Sequence, residues 1–546
     1  MLPTTWVVHP LQLDPVVNMK KYILLSILFL ISTSPVVALN PTQLSIIYEP
    51  PTFGTSTTLL TGPEVVSRFQ NVIYARNQMK GELPKYISAG FKGKAYVYLI
   101  ADNFGGPVDL GSVAAQKTRC TSAQKSFKIY SNNSAMDTGD FCEVHDAIIS
   151  KTALPDYPDI FPTENWFLHR ADGSRINKGH TPMEDYVPNP SDPNWQKYYS
   201  RRALREMIGG NEIDSSSVVT PHPAVAGVTG LFIDNIELGW SNVTRANGGL
   251  APVEYSSIAS YNAAVASFLS TVKNTLQTAP YNYPVWANMI SDPNTGTSWD
   301  QFKPYLNGGM NESFGLSWGK GPTSSSNMLQ QLTQAESWIN SGRHFLAVVQ
   351  GDANKSYMGY SLGSFLLVTN GTNASYYYAN YSGNYHELYE IPELYYQLGL
   401  PTESRRQIST APIIFERKFQ NGKVTVNLSA FTASIILNSG ATSPTPTPTI
   451  VVSDKTPPIV FITSPKSGAT VSRNHHVTIN ATATDNVGIT KLEYYINNTL
   501  KCTYSSVKSC NWSVPRQSNV SYTILVKAYD AAGNIGSSSI PVKSSR

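Results

Sequence analysis

Alternating proline and threonine at Ser443-Pro444-Thr445-Pro446-Thr447-Pro448-Thr449 divides this chain. Proline fixes φ and lacks an N–H, so the run joins neither a helix nor an interior strand and stands as a stiff spacer. What lies on either side must fold around its own core. The 546-residue length agrees, since single cores stop growing at roughly 250–300 residues. The expected layout is a large domain over 40–440, a linker over 441–456 and a small domain over 457–543.

The large domain alternates short apolar runs with helical spacing. Lys94–Ala101, Asn165–His169, Gly227–Asp234, Tyr283–Asn288, Gly309–Phe314 and His344–Gln350 read as buried strands. Asn194–Ile208, Tyr255–Leu276 and Met328–Ile339 carry apolar residues at helical intervals. Such alternation predicts a parallel sheet with crossover helices, and about 400 residues suit a (β/α)8 TIM barrel with insertions. Near its end, Asn421-Gly422 between two alternating runs predicts a two-residue type I′ hairpin and a β-rich appendage. The small domain has short alternating segments separated by turn residues, the pattern of an Ig-like β-sandwich.

The N-terminus carries an export pattern. Met19-Lys20-Lys21 is followed by the apolar run Tyr22–Ile31 and by Pro35-Val36-Val37-Ala38. This predicts a signal peptide within residues 1–38, starting at Met19. The run is shorter than the roughly 20 residues of a membrane span, so no transmembrane segment is expected beyond it. A secreted protein can form disulfides. Cys120 and Cys142 are near neighbours in the large domain, as are Cys502 and Cys510 in the small one, which makes two local bridges the simplest pairing; four free thiols are the alternative. Charged residues are only 14% of the chain, without basic runs, which argues against nucleic acid as partner. The 9 histidines show no metal-binding spacing, so neither metal nor cofactor is expected.

Catalytic groups of a barrel sit where strands end. Leu231-Phe232-Ile233-Asp234 runs from apolar residues straight into a carboxylate, and Glu237 follows within a turn. Glu312 lies inside the apolar, Gly-flanked run Met310–Phe314. Burying an unpaired carboxylate is costly, so each must be satisfied or used. Two opposed carboxylates are what glycoside hydrolysis needs, one to protonate the leaving oxygen and one to attack or activate water. Asp234 and Glu312 are therefore the catalytic candidates, although a strand-end Asp also commonly caps the next helix. Asp102 and Asp352, with Asp292, also end strand-like runs. Asp102, Glu237, Asn288 and Asp352 are placed as substrate-binding. Trp240, Trp286 and Trp318 lie near strand ends as stacking platforms for sugar rings, with core packing as the alternative.

A rival motif is Gly359-Tyr360-Ser361-Leu362-Gly363, which matches the nucleophile elbow of serine hydrolases, with His386 downstream. The elbow needs a buried strand ahead of it, and Ala353–Met358 is polar. A third reading is a non-catalytic carbohydrate-binding protein on the same scaffold.

Gly230-Leu231-Phe232-Ile233-Asp234-Asn235 resembles the fourth barrel strand of TIM-barrel glycoside hydrolases of the hypothetical glycosyl hydrolase type, relatives of the polygalactosaminidase-like families. Asn165–His169 with Ala171-Asp172-Gly173, Asn189-Pro190 to Trp195, and Glu416–Phe419 with Asn421–Val424 resemble the same group. The resemblance spans most of residues 60–437. One departure is Asn427-Leu428-Ser429, where relatives tend to show Asn-Pro. It implies a secreted enzyme acting on a polysaccharide or oligosaccharide, with Asp234 as nucleophile or base and Glu312 as acid. The small domain is similar to bacterial Ig-like modules in Asp485-Asn486 and Asp530–Asn534, where calcium binding and tight turns explain the acidic residues equally well.

Overall fold

The structure, a computed structural model, describes residues 41–546 other than 54–57, 103, 108–109, 127–140, 179–182, 214–218, 292–297, 318–320, 381–384, 439–456, 486–488, 505–508 and 531–533. The expected signal peptide and Pro/Thr linker lie outside the described residues.

Eight parallel strands close into a barrel. They are β1 (Gln43–Tyr48), β2 (Phe69–Ala75), β3 (Lys94–Ile100), β4 (Gly230–Leu238), β5 (Val285–Ser291), β6 (Gly308–Asn311), β7 (His344–Gly351) and β8 (Ala374–Asn380). Each pairs with the next, and β8 returns to β1 through Gln43 opposite Ser375 and Leu44 opposite Tyr376. Closure leaves no free edge, and helices cover the outside, so the strands are buried on both faces. That is why they read as continuous apolar runs; all eight residues of β7 are buried.

The crossover helices are set by ordinary signals. Ser257 caps Ile258–Gln277 in a capping box with Ser260, and the helix buries Tyr261, Val265, Phe268, Leu269, Val272 and Leu276. Asp192 accepts N–H bonds from Asn194 and Trp195, each 2.9 Å, at the start of Pro193–Ile208. Ser325–Asn340 joins β6 to β7, and Lys355–Leu366 joins β7 to β8. A four-stranded antiparallel sheet, Arg406–Thr410, Ile413–Phe419, Gly422–Asn427 and Thr432–Leu437, packs on Lys355–Leu366.

Two expectations need correction. Asn165–His169 is not a barrel strand. Trp166, Phe167 and Leu168 are buried, but in the long β3–β4 crossover, where Glu164–Trp166 is a 3-10 turn. Arg175 lies 4.0 Å from the centre of the Phe167 ring there. The hairpin of the appendage turns on Gln420-Asn421, since Phe419 pairs with Gly422. None of Gln420, Asn421 and Gly422 has positive φ, so the turn is not type I′. Gly422 is required for space instead, because a Cβ there would lie 2.3 Å from the Ile436 carbonyl oxygen. The Gly-x-Ser-x-Gly segment is the interior of helix Lys355–Leu366, not a strand–helix elbow.

The C-terminal segment is a two-sheet sandwich. Ile459–Ser464, His476–Thr484 and Cys510–Ser513 form one sheet; Thr470–Val471, Ile489–Ile496, Thr499–Tyr504, Ser521–Asp530 and Ile535–Ser544 form the other. Its core holds Ile479, Leu492, Tyr494, Trp512, Ile524 and Val526. Disulfides join Cys120 to Cys142 and Cys502 to Cys510, the second linking the two sheets of the sandwich. No helix among the described residues is long and apolar enough to cross a membrane.

Candidate active site

The site is built where β1, β4, β5, β6 and β7 end. In β4, Ile233 faces Ala287 and Ile236 faces Met289, so Asp234 and Asn235 together stand opposite Asn288. This is a β-bulge, and Asn235 takes φ 56° to make it. Bulges re-aim side chains beside functional sites. Here Asp234, 6% exposed, meets Asn288 across the strand pair. Glu312 is the first residue after β6.

The two carboxylates share donors. Asn288 Nδ2 donates to Asp234 Oδ1 at 2.8 Å and to Glu312 Oε2 at 2.7 Å, so those oxygens lie less than about 5.5 Å apart. The Tyr48 hydroxyl lies 3.3 Å from Asp234 Oδ1 and 3.3 Å from Glu312 Oε1. Other donors serve one partner each. Tyr98 donates to Asp234 Oδ2. Tyr385 at 2.6 Å and Gln350 Nε2 at 3.1 Å donate to Glu312 Oε1. The amide oxygen of Asn288, fully buried, has no partner among the described residues.

Burial pushes Glu312 up to about 7; the adjacent Asp234 charge adds to this, against the hydrogen bonds from Tyr385, Asn288 and Tyr48. Burial also raises Asp234, opposed by the Tyr98 and Asn288 bonds. The arrangement therefore favours one proton on the pair near neutrality.

The other site residues expected from sequence are distributed unevenly. Asp102 follows β3 and pairs with Lys178. Burial works against the Lys178 charge, but Asp102 and Glu237 outweigh it and hold its pKa above the ordinary value. Glu237 accepts the backbone N–H of Asn242, at the start of helix Ser241–Ala246, and burial pushes it up to about 7. Asp102 Oδ1 and Glu237 Oε2 have no partner among the described residues and line one small cavity of about 30 Å³. That is water-sized, too small for a sugar ring. Trp240, half-buried, begins the same helix with φ 55° and packs on Tyr261. Asp352 is exposed, its carboxylate accepting the Asn354 N–H at 3.0 Å. Trp318 and Asp292 lie outside the described residues.

Trp286 is not a sugar platform. It is 2% exposed and sandwiched in the barrel interior between Tyr96 at 4.2 Å and His344 at 4.1 Å. Ser361 is no nucleophile either. Fully buried, it bonds the Tyr376 hydroxyl at 2.7 Å, while His386 pairs with Glu49. Among the described residues, no acidic, His or Cys cluster could hold a metal ion.

Sequence reasoning missed Tyr48, Tyr98, Tyr385 and Gln350. Tyr98 sits in a run read only as a strand, and Gln350 was its strand's last residue without being singled out. The Tyr-rich stretch 376–396 reads in the sequence as a substrate-contacting loop leading into a helix, and it supplies Tyr385 without singling it out.

A parallel eight-stranded barrel with two buried, donor-linked carboxylates at its C-terminal rim is the architecture of a TIM-barrel hydrolase. The model described as Hypothetical glycosyl hydrolase family 15 matches residues 126–423, more than half of the chain. The chain belongs to that family, and is a glycoside hydrolase with a carbohydrate substrate. A Bacterial Ig domain model matches residues 458–526. No curated protein matches significantly. Solved structures similar to parts of the chain include the fibronectin(III)-like modules of Clostridium thermocellum CbhA, at 24% identity, TM-score 0.15, covering 16% of this chain and 100% of that one. Another is the glycoside hydrolase domain of PelA from Pseudomonas aeruginosa, at 12% identity, TM-score 0.33, covering 62% and 94%. A third is chitinase ChiA74 from Bacillus thuringiensis, at 14% identity, TM-score 0.25, covering 92% and 85%. At TM-scores of this size they add nothing to the family assignment.

Proposed function

We propose that the protein is an exported retaining glycoside hydrolase of polysaccharide or oligosaccharide, with Asp234 as nucleophile and Glu312 as acid/base. The observation that carries this is the single Asn288 amide nitrogen touching both carboxylates, which keeps their nearest oxygens within about 5.5 Å. Retaining pairs stand about 5–5.5 Å apart, whereas inverting pairs need about 6.5–9.5 Å to seat a water. In this reading Asp234 carries the charge, with Tyr98 donating to it alone, while burial and the neighbouring Asp234 charge keep a proton on Glu312 up to about pH 7.

In the first step an Asp234 oxygen bonds to the anomeric carbon, the glycosidic C–O bond breaks, and the Glu312 proton goes to the leaving oxygen. In the second, water attacks the anomeric carbon, its proton goes to Glu312, and the bond to Asp234 breaks. The Lys20-Lys21 and apolar run of the N-terminus, two disulfides and the Bacterial Ig domain support export.

The test is a glycan-panel screen for reducing-sugar release, followed by proton NMR of the first-formed anomer. Asp234→Asn and Glu312→Gln should each lower kcat by about 10²–10⁴-fold without unfolding the protein. Full activity in either variant overturns the pair, and an inverted first product overturns retention. Saturable binding without turnover in the wild-type protein would favour a carbohydrate-binding role instead.

A further inference from the structure

Tyr48 occupies an unusual place. It ends β1 with φ 72°, a left-handed conformation that bulky residues avoid and that clusters at functional sites. Two contacts next to it hold the chain there. Glu49 N donates to the Ile47 carbonyl at 3.0 Å, and Glu49 Oε2 lies 2.7 Å from His386 Nδ1. His386 is the neighbour of Tyr385, so this pair holds the backbone of Tyr48 beside that of Tyr385. The Tyr48 ring stands edge-on between Tyr98, at 5.2 Å, and Tyr385, at 4.5 Å.

The donors around the two carboxylates differ in how many hydrogens they bring. Tyr98 serves Asp234 alone, and Tyr385 serves Glu312 alone. Asn288 Nδ2 carries two hydrogens and can serve both at once. The Tyr48 hydroxyl carries one hydrogen and stands at equal distance, 3.3 Å, from an oxygen of each. An O–H···O bond prefers about 2.7–2.8 Å, so both distances are a compromise between two acceptors.

We propose that Tyr48 is a positioning residue whose single hydroxyl hydrogen follows the negative charge between Asp234 and Glu312 during the reaction. The proposal rests on the assignment of these two as nucleophile and acid/base. Before bond cleavage Asp234 is the anion and receives the Tyr48 hydrogen. Once Asp234 is esterified to the sugar and Glu312 has given its proton to the leaving oxygen, Glu312 is the anion. The hydroxyl then rotates to Oε1 with no heavy atom moving. Hydrolysis of the ester returns the proton to Glu312, the charge to Asp234 and the hydroxyl to its first orientation. A donor that serves whichever carboxylate is charged lowers the cost of moving that charge without fixing it on either.

The experiment compares Tyr48→Phe, Tyr98→Phe and Tyr385→Phe with wild type, on the nitrophenyl glycoside that the wild-type enzyme turns over fastest. Tyr48→Phe keeps the ring and its edge contacts, so a purely structural role predicts unchanged kinetics. The expected result is a fall in kcat of about 10–100-fold, the value of one hydrogen bond to a charged group, with KM within about 2-fold. Losing a donor raises the pKa of the carboxyl it served. Tyr98→Phe should therefore move only the acid limb of the pH–rate profile upward, Tyr385→Phe only the alkaline limb, and Tyr48→Phe both. Carboxyl ¹³C titration without substrate should show the same pattern. A Tyr48→Phe profile with one or neither limb moved overturns the proposal, as does unchanged kcat. If Asp234→Asn and Glu312→Gln abolish activity while Tyr48→Phe behaves as wild type, the catalytic pair stands and the Tyr48 role falls. If those two variants stay active, the underlying assignment falls.

Discussion

Glu312 is held where its carboxyl keeps a proton that an ordinary glutamate would have lost. Its folded pKa, about 7, lies above the ordinary 4.5, so the native state binds the extra proton across that interval. The linked stability is fully present below about pH 4.5 and is lost as pH rises through about 7. Glu312→Gln removes the ionisation and keeps most of the hydrogen bonds. Its oxygen accepts from Tyr385 and Gln350, and only the bond from Asn288 to the former Oε2 is given up. The variant should melt roughly 2 °C or more above wild type at pH 8 and converge with it near pH 4. Scanning calorimetry at the two pH values checks this, and equal melting at pH 8 would contradict it. Asp234 and Glu312 were the part of the candidate site easiest to read in the sequence, because a carboxylate inside an apolar run has few reasons to be there. The tyrosines were not legible. A tyrosine in a strand is ordinary core material, and only tertiary packing turns Tyr48, Tyr98 and Tyr385 toward one point. Trp286 failed as a sugar platform because its strand-end position did not reveal the rings of Tyr96 and His344 on its two faces.

At the scale of elements, helix Lys355–Leu366 shows how a motif and its meaning separate. Its two glycines satisfy the elbow pattern yet do different things. A Cβ on Gly359 meets nothing within 4 Å, whereas one on Gly363 would lie 2.4 Å from Ala433 Cβ and 3.2 Å from Val426 Cγ2 of the appendage. Gly359→Ala should stabilise the protein by about 0.5–1 kcal/mol, the helix-propensity gain. Gly363→Ala should destabilise it by about 1–3 kcal/mol by overpacking the contact between helix and sheet. Urea denaturation distinguishes the two signs; destabilisation by both would mean that the pattern has a local role of its own. Apolar runs alternating with helical spacing marked β3 to β7 of the barrel in the sequence, and left β1, β2 and β8 unmarked. Asn165–His169 misled because a short apolar run reports burial, not which sheet, if any, it joins. The bulge at Asp234-Asn235 left no mark in the sequence beyond an asparagine, a residue that tolerates the left-handed conformation.

Among the described residues there are two hydrophobic clusters, one drawing on residues 44–428 and the other on residues 460–542. No buried residue belongs to both, so the two should unfold as separate cooperative units. The sandwich, of about 90 residues, should contribute a calorimetric transition of about 60 kcal/mol. A disulfide between its sheets, Cys502–Cys510, closes a loop of 8 residues in sequence separation. By chain entropy such a loop is worth about 2.5 kcal/mol, a large part of the stability of a domain this small. The Cys502→Ser/Cys510→Ser double variant should lower that transition by about 10 °C or more while leaving the barrel transition in place. Glycosidase activity, which we assign to Asp234 and Glu312 of the barrel, should be unchanged at temperatures below both transitions. Gly363→Ala should produce the mirror result, moving the barrel transition alone. A single transition that shifts as a whole in both variants would show instead that the two cores melt as one unit. The spacer of alternating proline and threonine would then separate them in sequence without separating them in stability.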